Sequence, residues 1–194
     1  MPAQSHRLAD PQRFNLVPDG GNPADHFVDA FQLIRKSNIN CTVHAGEAWG
    51  PESIHQALHD LNAHRISHAT RLFEDDRLAA FVANHRIPLE VGLTSAYRTG
   101  SVEQGGVHPL RRFLRAGMRV VLTTNNRMLL ATDLTRELRF AADTFDLTLL
   151  DLENLQLSAF KSSFLPQAER VAMVRRAVAS FGEVRQRHGL EAGE

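Results

Sequence analysis

Polar side chains with catalytic or metal-binding chemistry follow four predicted strands of this chain, at the point where each strand ends. In a parallel α/β sheet, the carboxyl ends of the strands form the edge where ligands bind. We therefore expect one shared rim built from His44 and Glu47, from His68, from Thr94-Ser95 and from Asn125-Asn126.

His44 and Glu47 form the sharpest pair, and Gly46 between them permits a tight turn. Histidine is the commonest metal ligand and moves protons near neutral pH. A partly buried glutamate serves as a general acid or base. The alternative is structural: His44 hydrogen-bonds within a packed rim, and Glu47 caps the helix that begins near Pro51.

The remaining rim residues also have structural alternatives. His68 fits a satisfied, partly buried histidine. Asn125 and Asn126 fit a turn, because asparagine tolerates the left-handed backbone and caps helices locally.

Two further histidines and the single cysteine are interpreted as structural. His55 and His59 lie four residues apart on a predicted helix, a spacing that can share a metal. No glutamate lies between them in the metalloprotease arrangement, so we predict solvated surface positions. Cys41 lies inside an apolar strand and is predicted to be a small core residue rather than a reactive thiol.

Short apolar runs alternate with amphipathic segments along the chain. The strands are predicted at residues 14–17, 39–43, 65–68, 87–93 and 119–123, with helices over 25–36, from 51, over 75–85, over 107–116 and from 133. This alternation is typical of βα units around a parallel sheet. From 148 to 194 the pattern is helical.

Composition excludes several classes of protein. The 194 residues carry 22 basic and 22 acidic side chains, so the positive excess that duplex binding needs is missing, and we expect no nucleic-acid partner. No run of eighteen apolar residues exists, so we expect no membrane partner either. One cysteine permits no internal disulfide, which favours a reducing compartment, most simply the cytoplasm.

Several segments, in order along essentially the whole chain, resemble the adenosine deaminase family. TVHAGEAWGPES at 42–53 is similar to the family's TVHAGE…GPES signature, and its GPES extension favours the adenosine-type branch over the adenine-type branch. The other similar segments are RFNL at 13–16, RISH at 65–68, LEVGLTS at 89–95, HPLR at 108–111, VVLTTNN at 120–126, TDLTRE at 132–137 and SSFLP at 162–166.

The resemblance implies a TIM-type (β/α) barrel and a zinc ion that activates water for attack on C6 of a purine, releasing ammonia. It implies that His44 is a zinc ligand, that Glu47 protonates a purine ring nitrogen, and that His68 orients the water and helps to deprotonate it. Asn125 stands where an aspartate binds zinc. Asn126 stands where a second aspartate contacts the water and the purine, a substrate-binding position.

The sequence departs from the family pattern in ways that bear on activity. The family's first strand supplies two zinc ligands from a His-x-His pair, and no His-x-His occurs in these 194 residues. A zinc site takes three or four ligands, and an amide oxygen at Asn125 is a poorer ligand than a carboxylate. Pro18 stands at a family glycine, and Gly92, Leu93 and Ala96 also differ.

We therefore expect one truncated domain over 1–194, with βα units over 13–147 and a helical tail over 148–194, forming a partial α/β barrel of about five parallel strands. We expect it to be inactive alone. The hypotheses are deamination of a purine nucleoside with a complementary chain, a catalytically dead member that acts through protein association or nucleoside binding, and a decayed product stabilised by self-association. A homo-oligomer or a complementary chain would cover the open sheet edges.

Overall fold

The computed structural model describes residues 27–103 and 105–190 in full and the backbone of residues 13–16. The turn predicted at 18–23, including Pro18, lies outside the described residues. The strands are β1 (Arg13–Leu16), β2 (Asn40–Ala45), β3 (Arg65–His68), β4 (Leu89–Val91) and β5 (Val120–Leu122). The helices are α1 (Val28–Lys36), α2 (Pro51–His59), α3 (Asp76–Asn84), α4 (Leu93–Thr99), α5 (Leu110–Arg115), α6 (Arg127–Leu130), α7 (Leu134–Phe145), α8 (Leu149–Lys161) and α9 (Gln167–His188).

The five strands form one parallel sheet in chain order, β1-β2-β3-β4-β5. At least one helix connects each strand to the next, as parallel pairing requires. This arrangement confirms the predicted α/β class and the partial barrel.

The sheet has an apolar face and a polar face. Side chains alternate along a strand, and the register places Val43, Ile66 and Leu89 together, all fully buried. Thr42, Arg65 and the next alternate positions of β3 and β4 lie on the opposite face. The apolar face packs against helices, so the polar face is the one that a closed barrel would turn inward.

Helix boundaries follow local capping chemistry. Asp75 accepts hydrogen bonds from the N–H groups of Arg77 and Leu78 and begins α3, and Asp133 does the same for Arg136 at the start of α7. The helix predicted over 107–116 begins only at Leu110, because Pro109 occupies its N-cap position.

The strand predicted over 87–93 is shorter than expected. It ends at Val91, and α4 begins at Leu93, a helix that the sequence pattern did not indicate.

Helices α8 and α9 pack on the last strand and on each other. Helix α8 lies against β5 and α9, and the buried carboxylate of Glu153 pairs with Arg185 at 3.5 Å. The turn between the two helices reaches the polar face of the sheet, where the Arg65 guanidinium lies 3.7 Å above the ring of Phe164. Among the described residues, no helix is long and apolar enough to cross a membrane.

Candidate functional site

The carboxyl ends of β2 and β3 bring two histidines into direct contact. His44 Nδ1 lies 2.9 Å from His68 Nε2, and both side chains are buried. The register pairs His68 with Ala45, which would place it on the face opposite His44. His68 has a left-handed backbone, with φ of 74°, and this turns its ring back toward His44. This conformation is uncommon for a residue other than glycine.

Glu47 joins this pair from the loop after β2. Its Oε2 lies 3.4 Å from His68 Nε2, and its Oε1 accepts a hydrogen bond of 2.8 Å from the Thr99 hydroxyl. The carboxylate is 19% exposed, so it is partly buried and still reachable. The structural alternative is wrong for this residue: Gly50 holds the N-cap of α2, and no side chain caps that helix.

A locked turn at Gly46 fixes the direction of Glu47. Gly46 has a φ of 71°, and a Cβ there would lie 2.4 Å from Ile54 Cδ1. Its N–H donates to the Ser53 hydroxyl at 2.7 Å, and its carbonyl accepts from the Thr70 hydroxyl at 2.8 Å. Only glycine fits this backbone without strain.

Burial favours the neutral form of two histidines, His44 and His108. Burial, together with the neighbouring His68, lowers the pKa of His44 to about 4, while the Glu47 carboxylate acts in the opposite direction. Burial also lowers the pKa of His108 to about 4, with His68 again contributing. A neutral imidazole offers one acceptor nitrogen and one donor nitrogen. In the contact between His44 Nδ1 and His68 Nε2, one ring therefore donates and the other accepts.

The ends of β4 and β5 form a second contact at the rim. Asn125 Nδ2 donates a hydrogen bond of 2.8 Å to the Ser95 hydroxyl, and Asn125 has a φ of 49°. Asn126 instead accepts from the Leu129 N–H at 3.0 Å and caps α6. The two asparagines therefore also perform the turn and capping roles that their residue type favours.

The remaining candidates take structural positions. His55 and His59 are exposed, with ring centroids 4.3 Å apart. Cys41 is buried, its thiol donates to the Asn62 carbonyl at 3.3 Å, and burial raises its pKa.

The described residues do not form a zinc site by themselves. Within residues 27–103 and 105–190, no group of three His, Cys, Asp or Glu side chains is placed to hold a metal ion. The Nδ1 of His44 is engaged with His68, and Asn125 presents its amide nitrogen to Ser95 rather than an ionised oxygen. A structural or catalytic zinc site needs at least three such ligands.

A parallel sheet whose five strands lie in chain order, with helices between them, has the arrangement of part of a TIM-type (β/α) barrel. Among solved structures, adenine deaminase from Arthrobacter aurescens has the same fold, with a TM-score of 0.78 at 23% identity over 82% of this chain and 49% of that one. An amidohydrolase from Burkholderia ambifaria with bound zinc gives a TM-score of 0.77 at 20% identity, over 86% and 47%.

Sequence comparison identifies the family. The adenosine deaminase profile matches residues 17–180. The adenosine deaminase of Vibrio cholerae is 36% identical over 157 residues, which are 81% of this chain and 47% of that protein. Adenosine deaminase 1 of Streptomyces coelicolor is 35% identical over 167 residues, 80% and 42%. The chain belongs to the adenosine deaminase family and spans about half the length of these curated relatives.

Several residues of the site escape sequence reasoning. Thr99 binds Glu47 from α4, a helix with no sequence signal, and Glu137 enters from α7. Ser53 lies in the GPES segment, so the sequence pointed to this residue. It did not predict the hydrogen bond that the Ser53 hydroxyl accepts from the Gly46 N–H.

Proposed function

We propose that this chain carries part of a purine nucleoside deaminase site and that deamination of adenosine to inosine requires a second polypeptide segment with the missing metal ligands. The observation that carries the proposal is the contact of Glu47, His68 and His44 at one rim of a barrel from the adenosine deaminase family.

In this proposal, Glu47 and His68 handle the protons. Glu47 is held by Thr99 on one oxygen and approaches His68 with the other, so its carboxyl group has a fixed orientation. In its protonated form, Glu47 would transfer its carboxyl proton to a ring nitrogen of the purine and become a carboxylate, while His68 orients the attacking water. Acid–base groups held in place contribute about 10²–10⁴-fold to a rate.

The proposed metal is zinc, by relation to the family, and within the described residues no three side chains are placed to hold it. The family's His-x-His pair is absent from the sequence, and within the described residues His44 is the one matched ligand histidine. The proposed location is the cytoplasm, which the single buried thiol of Cys41 favours.

Complementation tests the proposal. The chain would be mixed with zinc and with a polypeptide comprising the part of the Vibrio cholerae adenosine deaminase that this chain does not match, and inosine formation from adenosine would be measured. We expect inosine only in the mixture. Glu47→Gln should abolish it, whereas Glu183→Gln, on the exposed face of α9, should have no effect.

Two results would contradict the proposal. Failure of every such mixture to form inosine above the zinc-only background would remove the deaminase function. Deamination by the chain alone would show that no second segment is needed.

A catalytically dead member is the second candidate, favoured by the two asparagines. Asn125 is neutral and hydrogen-bonded to Ser95, and Asn126 is used as a helix cap. This candidate predicts substoichiometric zinc after dialysis, even in the complemented mixture, and no inosine. One tightly bound zinc per chain in that mixture would argue against it.

A further inference from the structure

The carboxylate of Glu137 is completely buried without a cationic partner. Glu137 lies on α7 and is 0% exposed. Among the residues that the structure describes, no lysine, arginine or histidine forms an ion pair with it. By contrast, the other buried glutamate, Glu153 on α8, is paired with Arg185. Burying a polar group is costly unless it is hydrogen-bonded.

Two neutral groups from different segments form hydrogen bonds with Glu137. The Thr94 N–H donates to Oε2 at 3.2 Å, and the Thr132 hydroxyl donates to Oε1 at 2.9 Å. Thr94 lies in the first turn of α4, where the backbone N–H groups have no partner within the helix. Glu137 thus supplies the cap that no residue before α4 provides, in the position where a carboxylate is most favourable.

Both segments held by Glu137 frame Asn125. Ser95, next to Thr94, accepts the hydrogen bond of Asn125 Nδ2 at 2.8 Å. Thr132 follows α6, the helix whose N-cap is Asn126, immediately after Asn125. Helix α4 also packs against α6 and α7.

We propose that Glu137 is a positioning residue: by anchoring the first turn of α4 and the turn after α6 to one buried carboxylate, it holds Asn125 at the rim. The importance of Asn125 for a reaction rests on the proposed function, but its placement by Glu137 does not. The same carboxylate fixes Thr94 and Thr132 whether or not the chain catalyses anything.

The test uses ¹⁵N NMR spectra of the full chain. The side-chain amide pair of Asn125 is assigned by its disappearance in Asn125→Asp. Glu137→Met keeps an unbranched side chain of similar size and removes both acceptors. We expect Glu137→Met to shift the NMR signals of the Asn125 side-chain amide and of the Thr94 backbone amide. The spectra are recorded below the thermal midpoint of the variant, where it is folded.

Two variants separate positioning from bulk stability. Glu137→Gln should return these signals toward the wild type, because its oxygen can accept from Thr94 while the Thr132 hydroxyl rotates to accept from its amide. Glu153→Met removes the other buried glutamate and should leave the Asn125 signals in place. If Glu137→Met fails to fold, Thr132→Val, which removes one donor, should shift the Asn125 pair in the same way.

Unchanged Asn125 and Thr94 signals in folded Glu137→Met, or in Thr132→Val if the first variant does not fold, would overturn the proposal. An equal shift in Glu153→Met would also overturn it. In the complemented mixture, Glu137→Met should displace the rim and so lower kcat about 10- to 100-fold, with a smaller change in KM. If the wild-type mixture forms no inosine, the proposed function fails, and the NMR spectra still decide the role of Glu137.

Discussion

At the scale of single residues, the site consists of side chains held in strained or desolvated states. His68 occupies a left-handed backbone, and His44 is buried against it with its pKa lowered to about 4. Such states persist when the surroundings determine them, and they cluster at functional sites. Asn125, another rim residue, also has a left-handed backbone. The backbone conformation of the rim therefore helps to set the direction of these side chains.

The buried histidines predict a loss of stability in acid. The pKa of His108 is about 4 in the folded chain and returns to 6.5 on unfolding. Between these pH values the unfolded chain binds more protons, so the free energy of unfolding falls as the pH is lowered from 6.5 to 4. The full effect of one such group is about 3 kcal/mol. Urea unfolding at several pH values measures it.

His108→Asn is the matched variant for this prediction. The Asn oxygen can accept the Leu110 N–H that His108 Nδ1 accepts at 3.0 Å, but it does not titrate. We expect the variant to show a shallower pH dependence below pH 6.5. An unchanged slope would mean that His108 does not contribute to the acid sensitivity.

The turn that carries Glu47 predicts a steric effect of a single methyl group. Gly46→Ala places a Cβ against Ile54, whereas Gly117→Ala, also at positive φ, meets nothing within 4 Å. Both variants place a non-glycine residue at positive φ, which strains the backbone, but only Gly46→Ala also overpacks its surroundings. We expect Gly46→Ala to lower the free energy of unfolding by about 2 kcal/mol more than Gly117→Ala. Equal losses in urea titrations would contradict the crowding at Gly46.

At the scale of elements, short helices at the rim depend on contacts from other parts of the chain. The sequence of α4, LTSAYRT, contains β-branched and aromatic residues with modest helix propensity. Its first turn is capped by Glu137, and Tyr97 packs on Phe140 with ring centroids 5.6 Å apart. Neither partner is near in sequence, which is why the pattern at 93–99 did not predict a helix.

The cap of α6 gives a prediction at this scale. Asn126→Asp keeps an acceptor for the Leu129 N–H, whereas Asn126→Ala removes it. An N-cap contributes about 1 kcal/mol, so the alanine variant should exchange the Leu129 amide hydrogen about fivefold faster, and the aspartate variant should match the wild type. Equal protection in all three proteins would show that the cap does not stabilise α6.

At the scale of the whole molecule, one arginine joins the sheet to the carboxyl-terminal helices. Arg65 Nε contacts Glu90 at 3.0 Å and the Thr42 hydroxyl at 2.9 Å, and its guanidinium stacks on Phe164. Burial raises the pKa of Glu90, and Arg65 opposes this. The pair thus connects β2, β3 and β4 with the turn between α8 and α9.

Removal of this arginine should loosen the whole fold. Arg65→Met leaves the Glu90 carboxylate without its cation, and we expect a loss of about 2 kcal/mol, measured by urea unfolding. The double variant Arg65→Met/Glu90→Gln should recover part of the loss, because no unpaired charge remains. If the double variant loses as much free energy of unfolding as the two single variants lose together, the two side chains are not coupled.

The amino-acid sequence determined the strand–helix alternation, the family and the rim residues His44, Glu47 and His68, since these depend on local pattern and on motifs contiguous in the chain. It also showed that these 194 residues contain no His-x-His pair, because such a pair is visible or absent without any structure. The sequence left open whether Glu47 is a helix cap or a general acid or base.

The tertiary structure decided what depends on residues far apart in the chain. It paired Glu47 with Thr99 and His68, assigned Asn126 to a cap, and buried Glu137 between two rim segments. The contacts of Glu47 and Glu137 join positions 5 to 52 residues apart. Spacing along the chain does not specify them, because packing and desolvation act between surfaces that meet only when the sheet has formed.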